Sequence, residues 1–187
     1  MKIQVIEKGA VFELQVESKN KGSFYFGAGW DNPNGPVDLD IVCALLVDGK
    51  ITRQNDFVYF SNRSAKGVML SEDNQTGEGE GDDESIVIDP SLLDPSITEI
   101  AIGLATYAGA DLHSAPNPHF RVCDGKNEDD EQIADIPVQS EAVEGNTVLV
   151  AFKLVKGSDG WDLVNIGDLH SMGTGRDAIK GFSSLFA

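Results

Sequence analysis

Glu72-Asp-Asn-Gln-Thr-Gly-Glu-Gly-Glu-Gly-Asp-Asp-Glu84, running without a break into Ser85-Ile-Val-Ile88, decides how this chain is read. Seven of the thirteen residues are carboxylates (Glu72, Asp73, Glu78, Glu80, Asp82, Asp83, Glu84), three are glycines (Gly77, Gly79, Gly81), and none is basic. An acidic run is by default a solvated surface. Here the alternating glycines let the backbone fold tightly, and the apolar, β-branched Ser85-Ile-Val-Ile88 anchors the run to a sheet. Anions confined to such a turn repel one another by up to about 4 kcal/mol per close pair at an effective dielectric near 20. A positive charge must offset that repulsion, and Asn74 and Thr76 add neutral oxygens to an all-oxygen ligand set of the kind hard cations prefer.

Outward from this segment, runs of alternating or β-branched residues recur: Val11 to Val16, Ser23 to Gly27, Leu39 to Val47, Phe57 to Phe60, Ser85 to Ile88, Ile97 to Thr106, Phe120 to Cys123, Gln132 to Val138, Thr147 to Val155 and Trp161 to Ile166. Turn signals stand between them, among them Asp31-Asn-Pro-Asn-Gly-Pro36, Asp48-Gly49, Asp124-Gly125 and Gly157-Ser-Asp-Gly160. The spacing predicts an all-β-dominated, two-sheet β-sandwich. Pro90 to Asp94 is expected to form a single helical turn and Arg176 to Phe186 a short closing helix. No repeat or linker divides residues 1–187, so one domain is expected.

Upstream, Gly29-Trp-Asp31 and Asp38-Leu-Asp40 carry a second acidic group. In a strand Asp38 and Asp40 share one face while Leu39 enters the core, and the Pro/Gly turn brings Asp31 back beside them. These three form half a cation site that the Glu72 to Glu84 loop completes if the two segments meet. The loop fails as an EF-hand: with Asp73 first and Glu84 twelfth, the third position is Gln75, the fifth Gly77 and the sixth, which requires glycine, Glu78. The absence of His and Cys from the cluster argues against zinc, copper and iron, and a flexible carboxylate loop suits Ca²⁺ better than Mg²⁺, with affinity in the range of roughly 10⁻⁷ to 10⁻⁴ M.

Fourteen Lys and Arg against thirty-one Asp and Glu give 14 − 31 = −17, a charge that repels nucleic acid and anionic membrane. No apolar run approaches membrane-spanning length and the N-terminus lacks a signal-peptide pattern, so a cytoplasmic protein is expected. Cys43 and Cys123 lack metal or disulfide spacing and read as buried thiols. His113, His119 and His170 are scattered. Gly77-Glu-Gly-Glu-Gly81 has no Lys for a phosphate, and no nucleophile–base pair stands out, so no enzymatic activity is expected.

Gly29-Trp-Asp31, Asp38-Leu-Asp40, Asp56-Phe-Val-Tyr-Phe-Ser-Asn62 and Asp73 to Glu84, in this order and spacing, resemble the signature of the TerD family of tellurium-resistance and stress proteins. The likeness is close from Gly29 to Asp89 and thinner beyond, where Phe120-Arg-Val122 continues it. It implies a calcium-binding β-sandwich that works with protein partners in a bacterial stress-response complex. The resemblance implies that the calcium ligands fall among Asp31, Asp38, Asp40, Asp73, Asn74, Thr76, Gly77, Glu78, Gly79, Asp82, Asp83 and Glu84, where a glycine would contribute only its carbonyl. Asp56 and Asn62 are further motif residues. The chain departs from the pattern at Leu70-Ser-Glu72 and at Ser114-Ala-Pro-Asn-Pro-His119, which marks a divergent member. Two other readings remain open: an acidic protein-interaction module in which metal binding is incidental, and a hydrolase in which Ca²⁺ is structural.

Overall fold

Thirteen strands form two sheets in the computed structural model, which describes residues 4–14, 22–31, 35–77, 81–108, 111–115, 118–138, 144–158 and 160–187. In chain order they are β1 (Gln4–Val5), β2 (Val11–Leu14), β3 (Phe24–Gly29), β4 (Asp38–Leu46), β5 (Phe57–Val58), β6 (Ser64–Ala65), β7 (Val68–Leu70), β8 (Glu84–Ile88), β9 (Glu99–Ala108), β10 (His119–Asp124), β11 (Glu131–Pro137), β12 (Val148–Lys156) and β13 (Trp161–His170). One sheet runs β1-β11-β10-β3-β8-β7-β6 and the other β2-β13-β12-β9-β4-β5. All neighbours are antiparallel except β1 with β11.

The predicted sandwich is present. Phe24, Phe26 and Ala28 of β3, Ile86 and Ile88 of β8, and Phe120 and Val122 of β10 meet Leu39, Ile41, Cys43 and Leu45 of β4 and Ile100, Ile102 and Leu104 of β9 in one buried core. Phe152 sits at its centre, stacked on Phe26 at 5.1 Å between ring centroids and edge-on to Phe120 at 5.2 Å. The second sheet is buried on its outer face as well. Val42, Ala44 and Leu46 alternate with the inward residues of β4 and pack, with Ala101, Ala105, Val148 and Val150, against Ala178, Ile179 and Phe182 of the closing helix α1 (Arg176–Ser184). This third layer explains why every residue of β4 is buried and why its sequence is an almost unbroken apolar run.

Most expected strands lie within a residue or two of their predicted bounds; residues 15–16 of the first fall outside the described residues, as does part of the turn after Asp31. β13 runs four residues beyond Ile166, because Gly167, with φ of +61°, bulges within the strand where a glycine would ordinarily end one. Phe57 to Phe60 is strand only as far as Val58. Tyr59 then bridges to Asn62, whose Nδ2 donates to the Phe57 carbonyl at 2.7 Å and closes the hairpin. β1, β6 and β7 were not foreseen; two or three residues carry too little alternation to stand out without their partner strands. The turn at Pro90 is a 3₁₀ turn over Pro90–Leu92, capped by Asp89 through the Ser91 amide.

Phe152→Ala should lower stability by about 3–5 kcal/mol, since the cavity opens between two sheets that cannot collapse onto it; urea unfolding followed by tryptophan fluorescence measures the loss.

Candidate metal centre

β4 and β8 begin side by side at one end of the sandwich, and the acidic loop precedes β8. Glu84 pairs in register with Ala28, an inward residue, so its side chain enters the space between the sheets. There Glu84 Oε2 accepts a 2.7 Å hydrogen bond from the Ile41 amide of the opposite sheet, and its Oε1 accepts from the Asn74 amide at 3.4 Å. Ile41 offers that amide because β5 covers β4 only at Cys43 and Ala44. One carboxylate thus joins β8, the free edge of β4 and the acidic loop.

Beside it, Asp38 and Asp40 converge with Asp73 of the loop, and one carboxylate oxygen from each lies within 4.8 Å of the others. Asp40 is 1% exposed and Asp38 9%, while Asp73 is exposed. Asp38 Oδ1 and Asp40 Oδ2 are buried with no hydrogen-bond partner among the described residues. Buried carboxylate oxygens are normally satisfied, so a group of three carboxylates with two orphan oxygens could hold a cation.

Asn74 and Thr76 organise the loop. Asn74 Oδ1 accepts from the amides of Thr76 and Gly77 at 3.1 and 3.0 Å and from the Thr76 hydroxyl at 3.3 Å. Gly77, at φ +60°, lies so close to the Trp30 indole that any side chain there would strike it. Asp83 Oδ2 accepts from the Trp30 amide at 3.0 Å and Oδ1 from Asn74 Nδ2 at 3.3 Å. Asp82 points the other way, to Arg121 and Tyr25 on the outer face of its sheet. Asp31 is exposed and lies outside the Asp38–Asp40–Asp73 group, close enough for its charge to act on Asp83. Glu78 and Gly79 lie outside the described residues. Asp56 pairs with the Arg53 side chain at 3.0 Å and Asn62 closes the β5 hairpin through the Phe57 carbonyl, so neither motif residue joins the triad. The sequence places Asp38, Asp40 and Asp73 among its candidates but expects Asp31, not Asp73, as the third member beside the pair; it gives no sign of Arg121, because the register of β10 against β3 is needed to bring position 121 to the loop.

A profile of the TerD domain matches residues 1–175. The chain belongs to the TerD family. The stress response protein SCP2 of Bacillus subtilis is 26% identical over 183 residues, with 87% of this chain and 90% of its own length covered. The tellurium resistance protein TerZ of Serratia marcescens is 26% identical over 174 residues, 86% of each chain. TerD of the same organism is 33% identical over 107 residues, 52% of this chain and 56% of its own. A solved structure of a homologue of the telluride resistance protein TerD from Streptomyces coelicolor superposes with a TM-score of 0.61 at 20% identity, covering 78% of this chain and 88% of that one; it shows a shared fold. These names describe stress response and tellurium resistance rather than a catalysed reaction. Among the described residues no helix of this TerD-family chain is long and apolar enough to cross a membrane.

Crowding has a measurable electrostatic signature. Burial, then the neighbouring Asp38 and Asp73, push Asp40 up to about 8; burial and Asp73 push Asp38 up to about 6. Burial raises Glu84 well above the usual carboxylate range, against the opposing effect of the Ile41 hydrogen bond, and burial also raises Asp83. An unperturbed aspartate, as in the unfolded chain, titrates near 3.8. The metal-free folded protein therefore holds extra protons between about pH 4 and 8. The contribution of these groups to its stability is greatest below that window and falls as pH rises through it. Metal-free Asp40→Asn should show a flatter decline in unfolding free energy, measured by urea denaturation, from pH 5 to pH 8.5 than the parent protein, by at least about 1 kcal/mol across that range; parallel curves would show that Asp40 is not the crowded group.

Proposed function

We propose that this TerD-family chain is a calcium-binding, non-enzymatic stress-response protein of the cytoplasm, in which Ca²⁺ fixes the Glu72 to Glu84 loop and thereby presents a surface to protein partners of a stress-response complex. The observation that carries the reading is a group of three carboxylates, Asp38, Asp40 and Asp73, each with an oxygen within 4.8 Å of the others, in which Asp38 Oδ1 and Asp40 Oδ2 are buried and have no hydrogen-bond partner among the described residues. Removing two carboxylates from water without a partner is costly, and a divalent cation supplies the missing charge and ligand field.

The residues fit a hard cation. Asp38 and Asp40 come from the rigid start of β4, and Asp73 comes from the loop. Glu84 stands beside them with both oxygens already held by the amides of Ile41 and Asn74, a support that fixes the pocket's wall. Further oxygens are available from the described part of the loop, at Thr76, the Gly77 carbonyl and Asp83, with Asp31 at its margin; Glu78 and Gly79, which the family resemblance also implies, lie outside the described residues. Asn74 contributes chiefly through the turn it holds. The donor set has neither imidazole nor thiolate, and a pocket that joins a fixed strand to a glycine-rich loop suits the variable coordination of Ca²⁺ more than the strict octahedron of Mg²⁺. When bound, the ion would offset the burial and the mutual repulsion that raise Asp38 and Asp40, and any proton held by either, chiefly Asp40 at pH 7, would leave as it binds.

Calcium at about a hundred times Kd should add on the order of 2.7 kcal/mol to stability and raise the melting temperature, and chelator should reverse the gain. Isothermal titration at pH 7 in buffers of different ionisation enthalpy should register protons released on binding. Asp38→Asn with Asp40→Asn should weaken uptake at least about a hundredfold, as expected for loss of direct ligands. A melting temperature indifferent to both calcium and chelator, or undiminished uptake by the double variant, would overturn the proposal.

A further inference from the structure

We infer that Arg121, far from the acidic loop in sequence, is a positioning residue for the metal pocket: it holds Asp82 on the outer face of the sheet as a strut, so that Asp83 and Glu84 turn inward to build the pocket wall. The inference rests on the calcium reading above and adds to it a residue outside the acidic segment.

Arg121 Nε donates to both Asp82 oxygens, at 2.7 and 2.8 Å, and the Tyr25 hydroxyl donates to Asp82 Oδ2 at 2.7 Å. The Asp82 side chain is 4% exposed. Arg121 is itself held: its guanidinium lies 5.9 Å from the Tyr25 ring centroid, and Nη1 and Nη2 donate to the Glu128 carbonyl at 3.2 Å and to Glu128 Oε2 at 3.4 Å. The sheet leaves a notch for the carboxylate. Gly27 lies opposite Arg121 in register and faces outward, between the inward Phe26 and Ala28, and a methyl group there would occupy the space of the Asp82 carboxylate.

Alternation would put Asp82 and Glu84 on the same face of a regular strand. They lie on opposite faces, because β8 begins only at Glu84 and the chain crosses the end of the sheet in between. The Asp83 amide marks the crossing with a 2.8 Å hydrogen bond to the Ala28 carbonyl. With Asp82 fixed outside, two residues of chain leave Asp83 at the Trp30 amide and Glu84 at the Ile41 amide. Asp82 is therefore anchored where it serves geometry, and Arg121 answers part of the loop's negative charge without entering the pocket. Loss of a residue that orients metal ligands typically weakens affinity about 10- to 100-fold.

The test is calcium titration of the full chain by calorimetry, well below the melting temperature, for the parent, Arg121→Gln, Arg121→Lys, Asp82→Asn, the Arg121→Gln/Asp82→Asn double variant and Tyr25→Phe. The strut predicts about tenfold weaker binding for Arg121→Gln and for Asp82→Asn. The double variant should be no weaker than either single change, because both break one contact. Arg121→Lys, which keeps the charge but not the planar fork, should restore part of the loss, and Tyr25→Phe, which folds with one hydroxyl fewer, should weaken binding a few-fold. Arg121→Gln binding calcium as tightly as the parent or more so, as a freed Asp82 ligand or a merely stabilising ion pair would give, overturns the inference while leaving the calcium reading intact. Additive losses in the double variant overturn it too. Failure of the parent protein itself to take up calcium instead overturns the calcium reading.

Discussion

Glu84 is the interaction on which the site depends. A carboxylate buried between two sheets is unfavourable unless its oxygens are engaged, and Glu84 engages one with the Ile41 amide of the facing sheet and the other with the Asn74 amide of its own loop. That arrangement fixes the separation of the starts of β4 and β8, and with it the distance at which Asp38 and Asp40 face Asp73. The crowding of the triad is a consequence of packing. The core residues Leu39 and Ile41 hold β4 from within, and α1 closes it from without, so the aspartates cannot relax apart without loosening the layers they stand on.

Much of this was legible in the residues. The alternation of Asp38-Leu-Asp40 places two carboxylates on one face whatever the tertiary fold, and the apolar strand after Glu84 anchors the acidic loop to a sheet. Strand periodicity and turn residues were enough for the sandwich. Three things were not legible. The role of Asp82 depends on the register of β10 against β3, a long-range pairing that leaves no local trace. The burial of β4 on both faces depends on where the last helix docks; an apolar run alone does not say what covers it. Two-residue strands such as β1 and β6 exist only by virtue of their partners. The acidic segment is free of counter-charge only locally, since Arg121 of β10 reaches Asp82 and Arg63 reaches Glu72.

Three layers also divide the labour of the chain. The core between the sheets carries Phe26, Phe120 and Phe152 and sets the fold, while the β5 hairpin and α1 share a separate aromatic cluster through Phe57, Tyr59 and Phe182. The Asp56 to Asn62 motif belongs to this outer layer. Both cysteines are buried as free thiols, and burial raises each above its ordinary value, so neither offers a ready thiolate for redox or tellurium chemistry.

The edge of β4 near Ile41 has one further consequence. A sheet margin with an unanswered amide is a template onto which another extended segment can add, copy after copy, into fibrous aggregates. In this molecule the Glu84 side chain occupies that amide in place of a neighbouring strand. The residue that walls the carboxylate cluster also covers the sheet margin against accretion, which ties the solubility of this chain to the integrity of that acidic corner.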